Sequence, residues 1–477
     1  MNIFFVSSEV APFIKTGGLA DVAGSLPPAL ARRGHEVRVI LPLYEGIDAK
    51  WREQMTFIKY FYVRVAWRSV YCGLYTLERD GVIYYFVDNE YYFKRSGVYG
   101  HYDDAERYAF FCRAVMEVPS QLDYSPDIIH CNDWQTALIP IYMIEDKKTV
   151  RQLANTRTVY TIHNIEYQGR YGADTVSNLF GLHPGYLNEG MLLYYGDVNL
   201  MKGAIQSADY VTTVSPTYSE ELQYAFYAHG LEGVVAANYG KIDGILNGID
   251  TQVYNSELDP GIAANFSVDD LSGKAICKAE LQNRLHLNIA PDVPIVAIVS
   301  RLAGHKGFEL LTSQFNRLMN LDIQFVLLGT GEWNYEQFFR EAANRYPGRV
   351  SANLMYNAKL SNAIYAGSDL YVMPSIAEPC GLSQMIAMRY GTIPIVRETG
   401  GLKDSVGNYD PVNNPDGRGF TFPDINGDQL VDAVERAVNL YQDKPAWQAL
   451  MKKDMQIDFS WNVSAGAYEQ IYSRLKA

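Results

Sequence analysis

The stretch Pro294-Ile295-Val296-Ala297-Ile298-Val299 is a short β-rich apolar run, and Ser300-Arg301-Leu302-Ala303-Gly304-His305-Lys306-Gly307 follows it at once. A helix-length segment over 307–319 comes next. Strand, glycine-marked loop and helix in that order are the unit of a parallel α/β sheet. The same unit recurs downstream. Strands are predicted over 323–328, 350–354, 369–373 and 393–396, with helices over 335–346 and 428–442. Upstream, runs at 2–6, 37–41, 127–131, 157–161, 210–214 and 242–246 repeat the pattern, with a helix over 103–118. The fold class is therefore α/β with parallel sheets.

One segment interrupts the alternation. Residues 57–93 are dense in Tyr, Phe and Val, and Asp80-Gly81 between two such runs is a hairpin signal, so an antiparallel, β-rich insertion is expected there. Its aromatics fit packing on half-buried strand faces better than sugar stacking. Two halves meet near 245, where Ile245-Leu246-Asn247-Gly248-Ile249-Asp250 ends a strand in a turn and an irregular Asp/Asn/Pro/Gly-rich stretch runs to about 273. Trp461 to Leu475 reads as an amphipathic helix.

Composition excludes several classes of function. The chain has 477 residues, 41 Lys+Arg against 54 Asp+Glu and a net charge of −13, so it carries no broad basic field for nucleic acid or an anionic membrane. No apolar run approaches the ~20 residues of a membrane span, and Ile3-Phe4-Phe5-Val6 follows Met1 without a basic leader. Five scattered cysteines, with no Cys-x-x-Cys, fit a reducing compartment and no structural zinc. A cytoplasmic protein of two or three domains is the expectation.

Ligands of open parallel sheets bind beyond the carboxyl ends of the strands, where helix N-termini present free N–H groups. After the first strand come Glu9 and then Lys15-Thr16-Gly17-Gly18-Leu19-Ala20-Asp21. Glycines admit a close backbone approach, and Lys15 is a point charge suited to phosphate. In the second half the corresponding loops are 300–307, Gly329-Thr330-Gly331-Glu332, Pro374-Ser375-Ile376-Ala377-Glu378-Pro379-Cys380-Gly381-Leu382 and Thr399-Gly400-Gly401-Leu402. Glycines, the cations Arg301 and Lys306 and the carboxylate Glu378 together describe a pyrophosphate and sugar site. Glu378-Pro379 also fits a helix start. Cys380 fits a small packing residue, beside Glu378 and so a point of sensitivity to thiol reagents. His163, in Tyr160-Thr161-Ile162-His163-Asn164, fits a ligand-orienting and a structural role equally. Asp103-Asp104 reads as a helix cap rather than a metal pair. A dinucleotide redox enzyme needs Gly-x-Gly-x-x-Gly, and Gly329-Thr330-Gly331 continues with Asn334 where the third glycine belongs.

At these loops the sequence resembles the bacterial glycogen synthases and plant starch synthases, over essentially the whole chain. The resemblance rests on Lys15 to Val22, Asn132-Asp133-Trp134, Thr161 to Asn164, Leu246 to Asp250, Ser300-Arg301-Leu302 with Lys306-Gly307, Glu378 to Leu382 and Thr399 to Leu402. It implies the GT-B architecture, with two Rossmann-like domains facing across a deep cleft: residues 1–245 for the glucan acceptor, 246–455 for the nucleotide sugar, and a terminal helix over 456–477 returning to the first domain. It implies transfer of glucose from ADP-glucose to an α-1,4-glucan with retention of configuration. With donor groups mainly on the second half and acceptor groups on the first, the two domains are expected to close, about a hinge near 245–250 and wherever the terminal helix returns to the first domain.

The resemblance also implies the roles of individual residues. Arg301 and Lys306 hold the leaving diphosphate, with Lys15 and the amides around Gly18 and Gly401. Glu378 contacts the donor glucose, His163 and Asp133 line the sugar site, and Tyr356 stacks on adenine. Gly17, Asp21, Asn247, Cys380, Gly381, Leu382, Thr399 and Gly400 complete the substrate-binding set. No cofactor or metal is expected, since protein cations meet the diphosphate and no acidic cluster has metal-ligand spacing. The chain departs from the family pattern at Gln135, Met355, Ile376 and Ala377, where His, Gly, Arg and Phe are common. Those departures leave a second expectation, a catalytically weak glucan- or nucleotide-sugar-binding protein. Oligomeric state is not readable from the sequence.

Overall fold

A computed structural model describes all 477 residues, in two compact units. The first comprises Met1–Val214, Ser219–Ile245 and Trp461–Ala477, and the second Ser215–Tyr218 and Leu246–Ser460. Residues 456–460, expected with the terminal helix, belong instead to the second unit. There Ile249 donates its N–H to the Phe459 carbonyl and bridges Ser460.

The first unit is built on a nine-stranded sheet. Its strands are β1 (Asn2–Val6), β2 (Glu36–Pro42), β3 (Thr56–Val65), β4 (Arg68–Arg79), β5 (Val82–Asp88), β6 (Ile128–Asn132) and β7 (Arg157–Ile162). A small antiparallel sheet holds β8 (Arg170–Tyr171), β9 (Leu193–Tyr194) and β10 (Asp197–Asn199), and β11 (Tyr210–Thr213) and β12 (Ile242–Gly244) complete the large one. The large sheet runs β12-β11-β7-β6-β1-β2-β5-β4-β3. Central strand β1 is buried on both faces, which is why it reads as an unbroken apolar run, and β6 is buried throughout although it carries His130 and Asn132.

The 57–93 segment is β-rich and antiparallel, as expected, and it joins the large sheet. Strand β5 pairs in parallel with β2, and β4 and β3 extend that sheet as an antiparallel edge. Asp80 and Gly81 both take positive φ, as a two-residue hairpin turn requires. Phe61, Val63 and Val65 pack inward, whereas Phe57, Tyr60 and Tyr62 face solvent, with the Tyr60 ring stacked on Tyr71 at 5.9 Å. Only half of the aromatic set is therefore used for packing.

The second unit has one parallel sheet: β13 (Ile295–Val299), β14 (Gln324–Leu328), β15 (Val350–Asn353), β16 (Leu370–Met373), β17 (Ile393–Arg397) and β18 (Phe420–Phe422). The order β15-β14-β13-β16-β17-β18 is that of a dinucleotide-fold sheet. The helix Phe308–Leu318 buries Phe308, Leu311, Phe315 and Leu318, spaced 3-4-3 on one face, against strand residues Val296, Phe325 and Leu327. Phe315 sits edge-on to Phe325, Phe338 and Phe339, and truncating it to Ala is a change of about 3–5 kcal/mol. Across the same core the helix Gly427–Gln442 contributes Leu430, Val434 and Ala437, and Asn426 caps it by accepting from Asp428 and Gln429 N–H.

The helix Trp461–Lys476 packs in the first unit. Tyr472 Oη lies 2.6 Å from His130 Nδ1, the His130 ring rests on Tyr468, and Arg33 pairs with Glu469 at 2.6 Å. No helix is long and apolar enough to cross a membrane.

Candidate active site

In the second unit the chain leaves β13 toward β14 on one side, while β16 flanks β13 on the other. The loops after β13 and β16 therefore diverge and leave a crevice at the strands' carboxyl ends. A cavity of about 230 Å³ occupies it, lined by Ser300, Arg301, Lys306, Ser375, Glu378, Gly381, Leu382 and Ser383 among others. Lys306 Nζ donates to Glu378 Oε2 at 2.6 Å, and Ser375 Oγ donates to the same oxygen at 3.0 Å. Glu378 is buried, so this pair is largely screened from water and each partner depends on the other.

The loops are fixed from behind. Arg397, buried at the end of β17, donates to the carbonyls of Ser375 at 2.7 Å and Ile376 at 2.5 Å, and Ile376 N–H donates to His305 O at 2.8 Å. Gly307 has φ +77°, and a Cβ there would lie 1.9 Å from the Pro374 carbonyl. Glycine is needed at this point for the two loops to meet. The next helix begins at Ser383, so Glu378-Pro379 starts no helix. The Cys380 thiol is buried and its pKa is pushed up to about 12, mainly by loss of solvent, which disfavours the thiolate that thiol reagents attack.

Not all predicted residues line this cavity. Gly400 and Gly401 lie behind it: Cβ atoms there would be 2.0 Å from Glu378 O and 2.1 Å from Cys380 O. In this unit they let two loops touch, and the Gly401 N–H is directed to the carbonyls of Glu378 and Pro379. Thr399 and Asn247 are buried, Asn247 lending its N–H to Cys380 and keeping its own Oδ1 without a hydrogen-bond partner. Tyr356 stands beyond β15 and is 91% exposed, beside the exposed Met355. Ser375, Ser383 and Arg397 carry no signal of their own in the sequence.

The first unit has its own divergence point at β1, between β2 and β6. The loop after β1 brings Lys15, Gly17, Gly18 and Asp21 to the start of the helix Gly18–Arg32, which has no side-chain cap. Lys15 Nζ is 2.7 Å from Asp21 Oδ1 and remains 53% exposed. After β6, Asp133 adopts φ +54° and ψ −177°, a conformation that costs a non-glycine residue of order 1–3 kcal/mol. It accepts the His163 N–H at 2.8 Å, and burial pushes its pKa up to about 7 against the lowering effect of the His163 and Asn164 N–H groups. His163 Nε2 meets Asn132 Oδ1 at 2.9 Å, which assigns the proton to Nε2, and burial lowers its pKa to about 3. His163 is thus a neutral, positioned imidazole. Gln135 has its Oε1 buried without a hydrogen-bond partner.

Asp103 stands at the N-cap position of the helix Asp104–Gln121, as expected of a helix start, but its side chain makes no capping hydrogen bond. Asp103 grips Arg95 with both oxygens, and Asp104 receives Gly100 N–H, His101 N–H and Arg107, so the pair organises the loop preceding the helix Asp104–Gln121. No group of three or more His, Cys, Asp or Glu side chains is arranged to hold a metal ion.

Comparison with known proteins agrees with this arrangement. The family model described as the starch synthase catalytic domain matches residues 2–237, and that of glycosyl transferases group 1 matches residues 281–451. Glycogen synthase from Geobacillus thermodenitrificans is 46% identical over 475 residues, covering 100% of this chain and 98% of that protein, and the one from Desulforamulus reducens is 47% identical over 475 residues. The catalytic domain of starch synthase IV from Arabidopsis thaliana, solved with ADP and acarbose, superposes with a TM-score of 0.90 at 36% identity, covering 100% of this chain and 99% of that one. Sucrose-phosphate synthase from Thermosynechococcus elongatus, at 19% identity and a TM-score of 0.61 over 99% of this chain and 98% of its own, shares the fold. With two Rossmann-like units and a cation–carboxylate pair at a sheet's divergence point, the chain belongs to the glycogen synthase family of GT-B hexosyltransferases.

Proposed function

We propose that this enzyme uses ADP-glucose as donor, lengthens α-1,4-glucan at its non-reducing end, retains the anomeric configuration and needs no metal. The observation that carries this reading is the Lys306–Glu378–Ser375 group sharing a cavity with Arg301. Arg301 and Lys306 meet the diphosphate, and negative charge on its bridging oxygen grows as the glycosidic bond breaks. Glu378 offers the donor sugar a carboxylate whose Oε2 is already held, and that charge supports a cationic anomeric carbon. The acceptor's 4-hydroxyl oxygen bonds to that carbon on the face the phosphate leaves, and its proton passes to the departing phosphate oxygen.

His163, neutral, and Asp133 bind sugar hydroxyls. Lys15, Gly17, Gly18 and Asp21 also bind substrate, Tyr356 stacks on adenine, and Asn247, Cys380, Gly381, Leu382, Thr399, Gly400 and Gly401 shape the site. The ADP and acarbose bound by the Arabidopsis relative support an adenine nucleotide and an α-glucan here. The enzyme works in the cytoplasm.

Incubation with ADP-glucose and glycogen in excess chelator, measuring ADP release and glucan growth, tests this. Arg301→Ala and Lys306→Ala should lower kcat about 10²–10³-fold, more than they raise KM. Glu378→Gln should lower kcat and leave ADP affinity nearly intact. Folded variants that all keep kcat within about threefold, under ~1 kcal/mol of barrier, would overturn the assignment.

A further inference from the structure

The segment between β1 and the helix Gly18–Arg32 contains an acid that the mechanism does not use. Glu9 is 3% exposed. Its Oε2 accepts the Thr16 N–H at 2.5 Å and the Thr16 hydroxyl at 2.7 Å, and the Gly17 N–H lies against the same carboxylate. The acid is itself held in place: Ser7 Oγ donates to Glu9 O at 2.7 Å, and Ala11 N–H donates to Ala20 O at 2.9 Å, which ties the segment to the helix flank.

Glu9 therefore takes up the donors of the turn that precedes the helix, and not those of the helix. The helix starts without a side-chain cap, so its first N–H groups are not spent on one, and the Cβ direction of Gly18 meets nothing within 4 Å. A buried carboxylate beside Asp21 is an odd choice if the task is only to close a turn, because desolvation raises its pKa even with three donors upon it. What the arrangement supplies is a fixed turn whose open side is donor-rich.

We propose that Glu9 is the positioning residue of the Thr16–Gly18 turn, holding it so that the amide groups from Gly18 onward face the phosphate of the nucleotide sugar. The proposal rests on the reading that this turn binds substrate phosphate. Those amides would meet non-bridging phosphate oxygens, whose charge is already present in the bound donor, so their positioning strengthens ground-state and transition-state binding alike and shows in KM rather than in kcat.

The test compares Glu9→Ala, Glu9→Gln and Thr16→Val by KM for ADP-glucose, kcat at saturating glycogen, ADP affinity by calorimetry, and thermal midpoint. Glu9→Ala should raise KM and the ADP Kd about tenfold, the worth of one charge-assisted hydrogen bond, with kcat within about threefold. Glu9→Gln keeps an oxygen for both Thr16 bonds and should restore KM to near wild type. Thr16→Val, at an exposed position, loses the hydroxyl bond but keeps the N–H bond and should fall between. A folded Glu9→Ala with wild-type KM, or a Gln variant as impaired as Ala, overturns the proposal. If Glu9→Ala does not fold, an unchanged KM in Thr16→Val overturns it. Gly18→Ala run alongside separates the two readings: if it raises KM for ADP-glucose severalfold while the Glu9 and Thr16 variants match wild type, only this proposal falls. If Gly18→Ala also keeps wild-type KM, the reading of this turn as phosphate-binding falls.

Discussion

Thr16-Gly17-Gly18-Leu19 and Thr399-Gly400-Gly401-Leu402 are the same four residues, each opening a helix, one in each unit. Their surroundings are opposite. Gly17 is extended at φ −153°, and the Cβ direction of Gly18 is open, whereas Gly400 has φ +42° and both second-unit glycines are pressed against the carbonyls of Glu378 and Cys380. A motif of this kind states where a backbone can come close to something, and only the structure says whether that something is the protein itself. In the first unit the cost lies in an open turn, a buried Glu9 and a strained Asp133. In the second it has been converted into close packing.

The largest expected effect that sharpens this comparison is at Asp133. Its folded pKa is raised, so its contribution to stability is full below the ordinary aspartate value of 3.8 and is lost as pH rises through about 7. Asp133→Asn keeps an acceptor for the backbone bonds and should gain on wild type between pH 4 and pH 8, by an upper bound of about 4 kcal/mol at ~1.4 kcal/mol per pKa unit. Urea unfolding of both proteins across that range checks it, and parallel curves at all pH values would place no titration at Asp133.

Next is Gly401→Ala. A Cβ placed 2.1 Å from a carbonyl oxygen forces two loops apart, and about 1–3 kcal/mol of stability should be lost along with activity. Gly18→Ala is the counterpart and breaks the comparison if it behaves alike. It should leave stability to urea unchanged, within ±~0.5 kcal/mol, while raising KM for ADP-glucose severalfold. The smallest effect is at Cys380, whose thiol, with a pKa near 12, should resist iodoacetamide at pH 8 in mass spectra of the folded protein and react once it is denatured.

The parallel strands were legible in the sequence because burial on both faces writes them as unbroken apolar runs, as in Ile3–Val6 and Ile295–Val299. Two- and three-residue strands such as β8 and β18 leave no such trace. The loops that bear Arg301, Lys306 and Glu378 were visible through their glycines and charges. Their supports were not. Nothing about a lone arginine at 397 announces that its guanidinium will hold carbonyls 375 and 376, and Glu9 acquires meaning only when the chain folds back to Thr16. Asp103-Asp104 misled for a related reason: an acid pair at a helix start looks like a cap until Arg95 and Arg107 arrive from outside the motif.

The first unit is completed by the helix Trp461–Lys476, which comes after the whole second unit in the chain. During synthesis the ribosome releases Met1–Ile245 long before the partner of its His130 and Arg33 exists. The nascent first unit must therefore wait with an open seam while the second unit, contiguous apart from Ser215–Tyr218, is made. A polypeptide cut short before Trp461 would keep that seam exposed, so the position of one helix makes translation through Trp461–Lys476 a condition for maturing the first half.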